Sequence, residues 1–209
     1  MVRTYDLIAS RYDRMHSRWL RHAGGEAQAA LEASLLSRVA PGARVLDAGC
    51  GTGHLSRALA AHDPSLRLTL LDACSEMLEQ THDVEASRRL GSLLCLPFAD
   101  SSFDVAVAAW AIEATNDEAT AISELMRVVR PGGVVLVAFC ATEPPRRLAA
   151  SVLRKGIEIR RTGRFLEVGR VEAAMHANNA ASVIRHRCSG PAAVLAATCG
   201  AVDMMPLAA

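Results

Sequence analysis

Aromatic residues are scarce here: 4% of the 209 residues are Phe, Trp or Tyr, against 51% hydrophobic overall. The core must then come from closely packed Ala, Leu and Val, as in soluble α/β proteins. A chain of this length can bury about 70% of the surface its unfolded form exposes. Net charge is nearly absent too, at +1, so composition gives no case for a nucleic-acid partner. No apolar run reaches the ~18 residues of a membrane-spanning helix. Asp6, Arg11, Asp13 and Arg14 interrupt the first apolar residues, so no signal peptide is expected. The six cysteines, at 50, 74, 95, 140, 188 and 199, include no CxxC and no zinc-spaced cluster. Reduced thiols in the cytoplasm and no metal site are the expectation.

What charge there is falls unevenly. Residues 1–22 carry five Arg against two Asp, and 143–170 carry eight Lys/Arg against three Glu. A solvated basic face accounts for both stretches. A surface toward an anionic substrate or membrane is the sharper alternative.

Apolar spacing predicts a helix over 5–20, a break at Gly24-Gly25, and a second helix from Ala27 to Val39 that Pro41-Gly42 stops. Strands follow at Arg44–Ala48, Arg67–Asp72, Leu93–Cys95, Phe103–Ala109 and Val134–Phe139, with helices at 54–62, 76–89 and 117–130 between them. Asn116 is the expected cap of the last helix, and Pro131-Gly132-Gly133 its stop. Strands alternating with helices imply right-handed crossovers and a mostly parallel sheet. A basic insertion spans 144–164, a helix about 165–178, and the runs Ser182–Cys188 and Ala192–Thr198 form a terminal antiparallel hairpin. With no repeat and no linker, 1–209 reads as one domain: a helical cap (1–40), a core (41–140) and the insertion.

Its chemistry concentrates in Val45-Leu46-Asp47-Ala48-Gly49-Cys50-Gly51-Thr52-Gly53, a buried strand entering a glycine turn and then a helix. Gly49, Gly51 and Gly53 let a ligand approach bare backbone, and the following helix offers free N–H groups. The spacing is GxGxG, not the GxGxxG of a dinucleotide fingerprint. Asp72 ends the next strand, where a carboxylate can accept both hydroxyl protons of a ribose. An NAD-dependent oxidoreductase is the reading this spacing weakens.

These blocks resemble the class I S-adenosylmethionine-dependent methyltransferases, in the branch with quinone C-methyltransferases and small bacterial N-methyltransferases. The other matching blocks are Leu71-Asp72-Ala73-Cys74-Ser75-Glu76-Met77-Leu78, Gly91 through Leu96-Pro97-Phe98-Ala99-Asp100-Ser101-Ser102-Phe103-Asp104, and Arg127-Val128-Val129-Arg130-Pro131-Gly132-Gly133. Tyr5-Asp6 and Tyr12-Asp13 precede them. The resemblance implies a doubly wound, mostly parallel seven-stranded Rossmann-like sheet and S-adenosyl-L-methionine as cofactor. It implies that Asp47, Gly49, Gly51 and Gly53 hold the methionyl portion and Asp72 the ribose. Ala73, Met77, Ser92 and Leu93 would surround the adenine, Ala109 would accept from the methionyl amine, and Tyr12 would reach the cofactor carboxylate. The chain departs from the family at Ser92, where relatives carry an acidic residue, and at Glu113-Ala114, where many carry a His pair.

The acceptor is less legible. Glu113 and Tyr12 are the candidates for a proton-handling role, with a solvent-facing loop carboxylate as the blander reading of Glu113. Trp110 either walls the acceptor pocket or is core, and His54 either shields the cofactor or is a surface residue. The acceptor is expected to be a small molecule or a lipid-like one. The 144–164 run is then a lid or an amphipathic helix on an anionic membrane, where a phospholipid N-methyltransferase would work. Thiol or metalloid methylation through the cysteines, and a non-catalytic regulatory module, are the further alternatives. The sequence leaves the oligomeric state open.

Overall fold

The computed structural model describes residues 12–143, 151–152, 154–156, 164–186 and 191–201. The parallel strands are β1 (Arg44–Ala48), β2 (Arg67–Asp72), β3 (Ser87–Leu90), β4 (Phe103–Ala109) and β5 (Val129–Cys140). An antiparallel pair, β6 (Ala180–His186) and β7 (Ala192–Cys199), completes a seven-stranded sheet in the order β3-β2-β1-β4-β5-β7-β6. This is the doubly wound sheet with a terminal hairpin that the sequence implies. Helices α1 (12–19), α2 (Gly25–Leu36), α3 (His54–His62), α4 (Ser75–Leu78), α5 (Glu118–Val128) and α6 (Val168–Ala177) flank it.

The period-2 alternation of the strands divides the core. Val45, Leu70, Val105, Val107 and Leu136 face Leu31 and Leu35 of α2 and Leu59 of α3. Leu46, Leu71, Ala106, Val135 and Val137 face Ile122 and Leu125 of α5 and Val171 of α6. Burial on both faces explains why β1, β4 and β5 read as near-continuous apolar runs. Each fully buried leucine contributes about 1.5–3 kcal/mol. The sheet order reverses between β1 and β4, so their carboxyl ends, with that of β2, open a crevice of the kind where such sheets bind ligands.

Five local expectations are corrected. Gly24-Gly25 does not break the helix: the chain passes from α1 through a π turn at Leu20–Gly24 straight into α2. The third strand is Ser87–Leu90, not Leu93–Cys95, because pairing of Thr69–Asp72 with this polar segment extends the sheet while residues 92–95 form a turn closed by an isolated bridge. The helix expected at 76–89 shrinks to α4 and a 3-10 turn, Glu79–Thr81, since Ser87–Leu90 is drawn into the sheet. Asp117, not Asn116, caps α5, its carboxylate accepting from Thr120 N–H at 3.0 Å. Pro131-Gly132-Gly133 lies inside β5, which begins where α5 ends.

The insertion 144–164 lies largely outside the described residues, as do Tyr5, Asp6 and Cys188. Two of its arginines are engaged by the domain itself. Arg154 stacks over Phe165 at 4.7 Å and donates to the Thr142 carbonyl. Arg164 donates to the Thr115 carbonyl and to Glu118.

Candidate functional site

The crevice holds a cleft of about 290 Å³ lined by Tyr12, Gly49, Gly51, Asp72, Ala73, Met77, Ser92 and Leu93, and by Trp110, Ala111, Ala114, Thr115 and Asn116 on its far side. Next to it, a recess of about 40 Å³ is bordered by Tyr12, His16, Gln28, Asp47, Gly51, His54, Ala109 and Trp110. Together they approach the lower end of small-ligand pockets.

The glycine turn makes the floor. Gly49, at φ +76°, packs so closely that a Cβ there would lie 2.4 Å from Ala111 Cβ. Gly51 is bare toward the cleft: the nearest atom to a Cβ there is Tyr12 Cε1 at 3.8 Å. Gly53 takes a different part from the one expected, since it lines neither hollow. It is the N-cap of α3 and packs against Thr81.

Asp72 closes β2 with its carboxylate held on both oxygens. Gly51 N–H donates to Oδ2 at 2.8 Å and Cys74 N–H to Oδ1 at 2.9 Å. The carboxylate thus ties the glycine turn to the start of α4 and lines the cleft. Met77, 2% exposed, and Leu93 form an apolar slot beside it. Ser92 stands at the rim, its hydroxyl already accepting from Leu94 N–H at 3.1 Å.

Asp47 is buried and accepts from Ser56 Oγ at 2.5 Å. Burial pushes its carboxyl up to about 6 against that hydrogen bond. At the recess mouth Tyr12 stacks on His16, with centroids 5.6 Å apart, and His16 meets His54 and Trp110 edge-on. Burial, helped by the His54 charge, pushes the His16 imidazole down to about 4, so it is neutral near pH 7. His54 borders the recess yet remains largely exposed, 3.7 Å from Glu32.

Glu113 departs most from expectation. It is not a solvent-facing loop carboxylate but 4% exposed, because the turn Ile112–Ala114 folds it back over the end of β5. Its Oε1 accepts from Cys140 N–H at 3.1 Å, and burial pushes its carboxyl up to about 7. Trp110 borders both hollows, and its indole N–H donates to Gln28 Oε1 at 2.7 Å. His16 and Gln28 were missed by sequence reasoning. Helical spacing from Tyr12 places His16 one turn on, a signal that could have found it.

Among the described residues no cluster of three His, Cys, Asp or Glu could hold an ion. Burial pushes the Cys50 and Cys140 thiols up, and that of Cys199 up to about 11. They hold their protons and pack as small hydrophobes. No helix among the described residues is long and apolar enough to cross a membrane.

Comparisons bear on this crevice directly. Residues 46–137 match a family model described as a methyltransferase domain. The chain is 36% identical over 135 residues to the malonyl-acyl-carrier-protein O-methyltransferase of Pectobacterium atrosepticum, covering 64% of this chain and 52% of that one. It is 33% identical over 142 residues to the demethylmenaquinone methyltransferase of Desulfitobacterium hafniense, covering 64% and 55%. The chain thus spans about half the length of the curated relatives it matches. A SAM-dependent methyltransferase from Thermotoga maritima superposes with a TM-score of 0.70 at 19% identity over 93% of this chain and 97% of that one, a likeness of fold.

Proposed function

The chain belongs to the class I S-adenosylmethionine-dependent methyltransferases, and from that premise we propose that it transfers a methyl group from S-adenosylmethionine to a small-molecule or lipid-like acceptor. The observation that carries the reading is the Asp72 carboxylate, pinned by the Gly51 and Cys74 amides on the wall of the cleft.

The residues present fit such a cofactor. Asp72 would accept from the ribose hydroxyls, and Met77 and Leu93 would flank the adenine beside Ala73. Ser92 would offer its hydroxyl at the adenine edge, a weaker acceptor than a carboxylate. Gly51 leaves the backbone open to approach, while Asp47, Gly49, Ala109 and Tyr12 surround the recess where the methionyl portion would lie. The bound cofactor supplies a methyl group already activated on a sulfonium centre. The protein's own task is then alignment and exclusion of water, and alignment alone is worth about 7–11 kcal/mol of barrier. Trp110, Ala111, Ala114, Thr115 and Asn116 would face the acceptor and carry no formal charge. An uncharged wall suits apolar acceptors, the class to which the relatives named for demethylmenaquinone belong.

Calorimetric titration tests the assignment. Binding of S-adenosylhomocysteine is expected, and binding of NAD without either sulfur nucleoside would reject it.

A further inference from the structure

A finer question, which rests on that reading, is how the recess beside the cleft receives the charged end of the cofactor. The methionyl chain ends in an amino acid, so it brings an ammonium and a carboxylate together. Asp47, near the end of β1, borders the recess and supplies an acceptor for the ammonium. The carboxylate meets no fixed cation: among the described residues, no arginine or lysine borders either hollow. Two imidazoles stand there instead, His16 from α1 and His54 from the first position of α3.

The fold sets both rings in place. Asp13 accepts from Thr52 Oγ1 at 2.6 Å, which pins α1 across the glycine turn. The His16 ring then stacks on Tyr12 and lies 6.3 Å from the His54 ring and 6.4 Å from that of Trp110, centroid to centroid. These are ring contacts, and no hydrogen bond among the described residues engages the His16 nitrogens. The start of α3 adds to the effect. Its N-cap is Gly53, with no capping side chain and no acidic residue in the first turn, so its positive end is left to favour an anion.

The titratable and charged groups around His16 are Tyr12 and Asp13 on α1, Glu32 on α2, Asp47 on β1, Cys50 in the glycine turn, and His54 and Arg57 on α3. Arg57 lies beyond Thr52 and is committed to Asp83. Burial and the His54 charge outweigh Asp13, so the ring stays neutral near pH 7. A ligand carboxylate beside it adds a second opposite charge, which favours the protonated ring. We propose that His16 and His54 form the subsite for the cofactor's carboxylate, and that His16 takes up a proton as that carboxylate binds. Cofactor binding is then tied to pH through the residues of this recess, and it tightens as the solution is made more acid.

The test compares S-adenosylhomocysteine with its decarboxylated analogue, the aminopropyl thioether of adenosine, which keeps the amine and lacks the carboxylate. Calorimetry on the intact chain near pH 7.5 should show a preference of about tenfold for S-adenosylhomocysteine. Between about pH 7.5 and 5.5 that preference should widen by a further fourfold or so. His16→Phe keeps a stacked ring and loses both nitrogens. It should bring the two ligands within about threefold of each other, leave the analogue's affinity unchanged and flatten the pH dependence. Asp47 also titrates in the recess, at about 6, so the measurement that counts is the difference between parent and variant. His54→Ala, at an exposed position, should narrow the preference by about threefold. A preference unchanged in folded His16→Phe, or one that widens equally with acid in both proteins, would overturn the proposal. If His16→Phe does not fold, an unchanged preference in His54→Ala overturns it. Failure of the parent chain to bind S-adenosylhomocysteine at all would instead overturn the methyltransferase reading, so the two failures are distinct.

Discussion

Replacing Asp72 by alanine probes the proposed cofactor site at its most constrained point. In the folded chain the carboxylate accepts from Gly51 N–H at 2.8 Å and from Cys74 N–H at 2.9 Å. Deleting it hands both amides to water at a half-buried rim, which should cost about 1–2 kcal/mol of stability. The loss on the ligand side is larger. Two ribose hydroxyls donating to one carboxylate form charge-assisted bonds worth about 1.5–3 kcal/mol each when fully desolvated. Because Asp72 is only half-buried, the lower value applies, giving about 3 kcal/mol or roughly 150-fold in affinity. Asp72→Asn keeps one acceptor oxygen but turns a donor on one of the two amides, so a loss of about tenfold is expected. Calorimetry with S-adenosylhomocysteine measures the affinities, and urea unfolding in parallel confirms that the variants are folded. If folded Asp72→Ala binds within about threefold of the parent, the carboxylate is only a turn-former and the ribose assignment fails.

Three further outcomes are expected. Burial raises the Glu113 carboxyl from 4.5 to about 7, so between those values the unfolded chain ionises while the folded one keeps its proton, and stability falls as pH rises. Glu113→Gln should remove this fall, about 3 kcal/mol at most. The comparison is the difference between the two proteins, because Asp47 adds a slope of the same sign up to about pH 6 and His16 one of opposite sign. Urea midpoints across the window check it, and parallel profiles would refute it. Gly49→Ala, with a left-handed backbone and a Cβ 2.4 Å from Ala111 Cβ, should cost about 2–4 kcal/mol; a thermal midpoint equal to the parent's would contradict the turn geometry. Arg127 holds Glu124, Asp100 and the Leu96 and Phe98 carbonyls. Arg127→Lys keeps the charge but loses the fork, so about 1–3 kcal/mol of stability should go. Amide exchange should quicken at 92–98, and unaltered exchange there would count against this anchoring role.

What the sequence by itself determined lies where structure follows from near neighbours. Val45 through Gly53 needed only an apolar run, glycines where φ turns positive, and a helix start. Asp72 needed only a second short strand ending at the next turn. Tertiary structure alone decided the rest. Ser87–Leu90 is a polar segment that becomes a strand because β2 offers an open edge, while the more apolar Leu93–Cys95 becomes a turn. Glu113 reads as a loop carboxylate until Cys140, 27 positions on, supplies the amide that buries it. Trp19 and Trp110 meet across 91 residues because a π turn and a strained backbone bring them together. Periodicity records a residue's relation to its own element. Pairing across a sheet edge, and the desolvation of a polar atom, depend on groups that only the folded chain brings near.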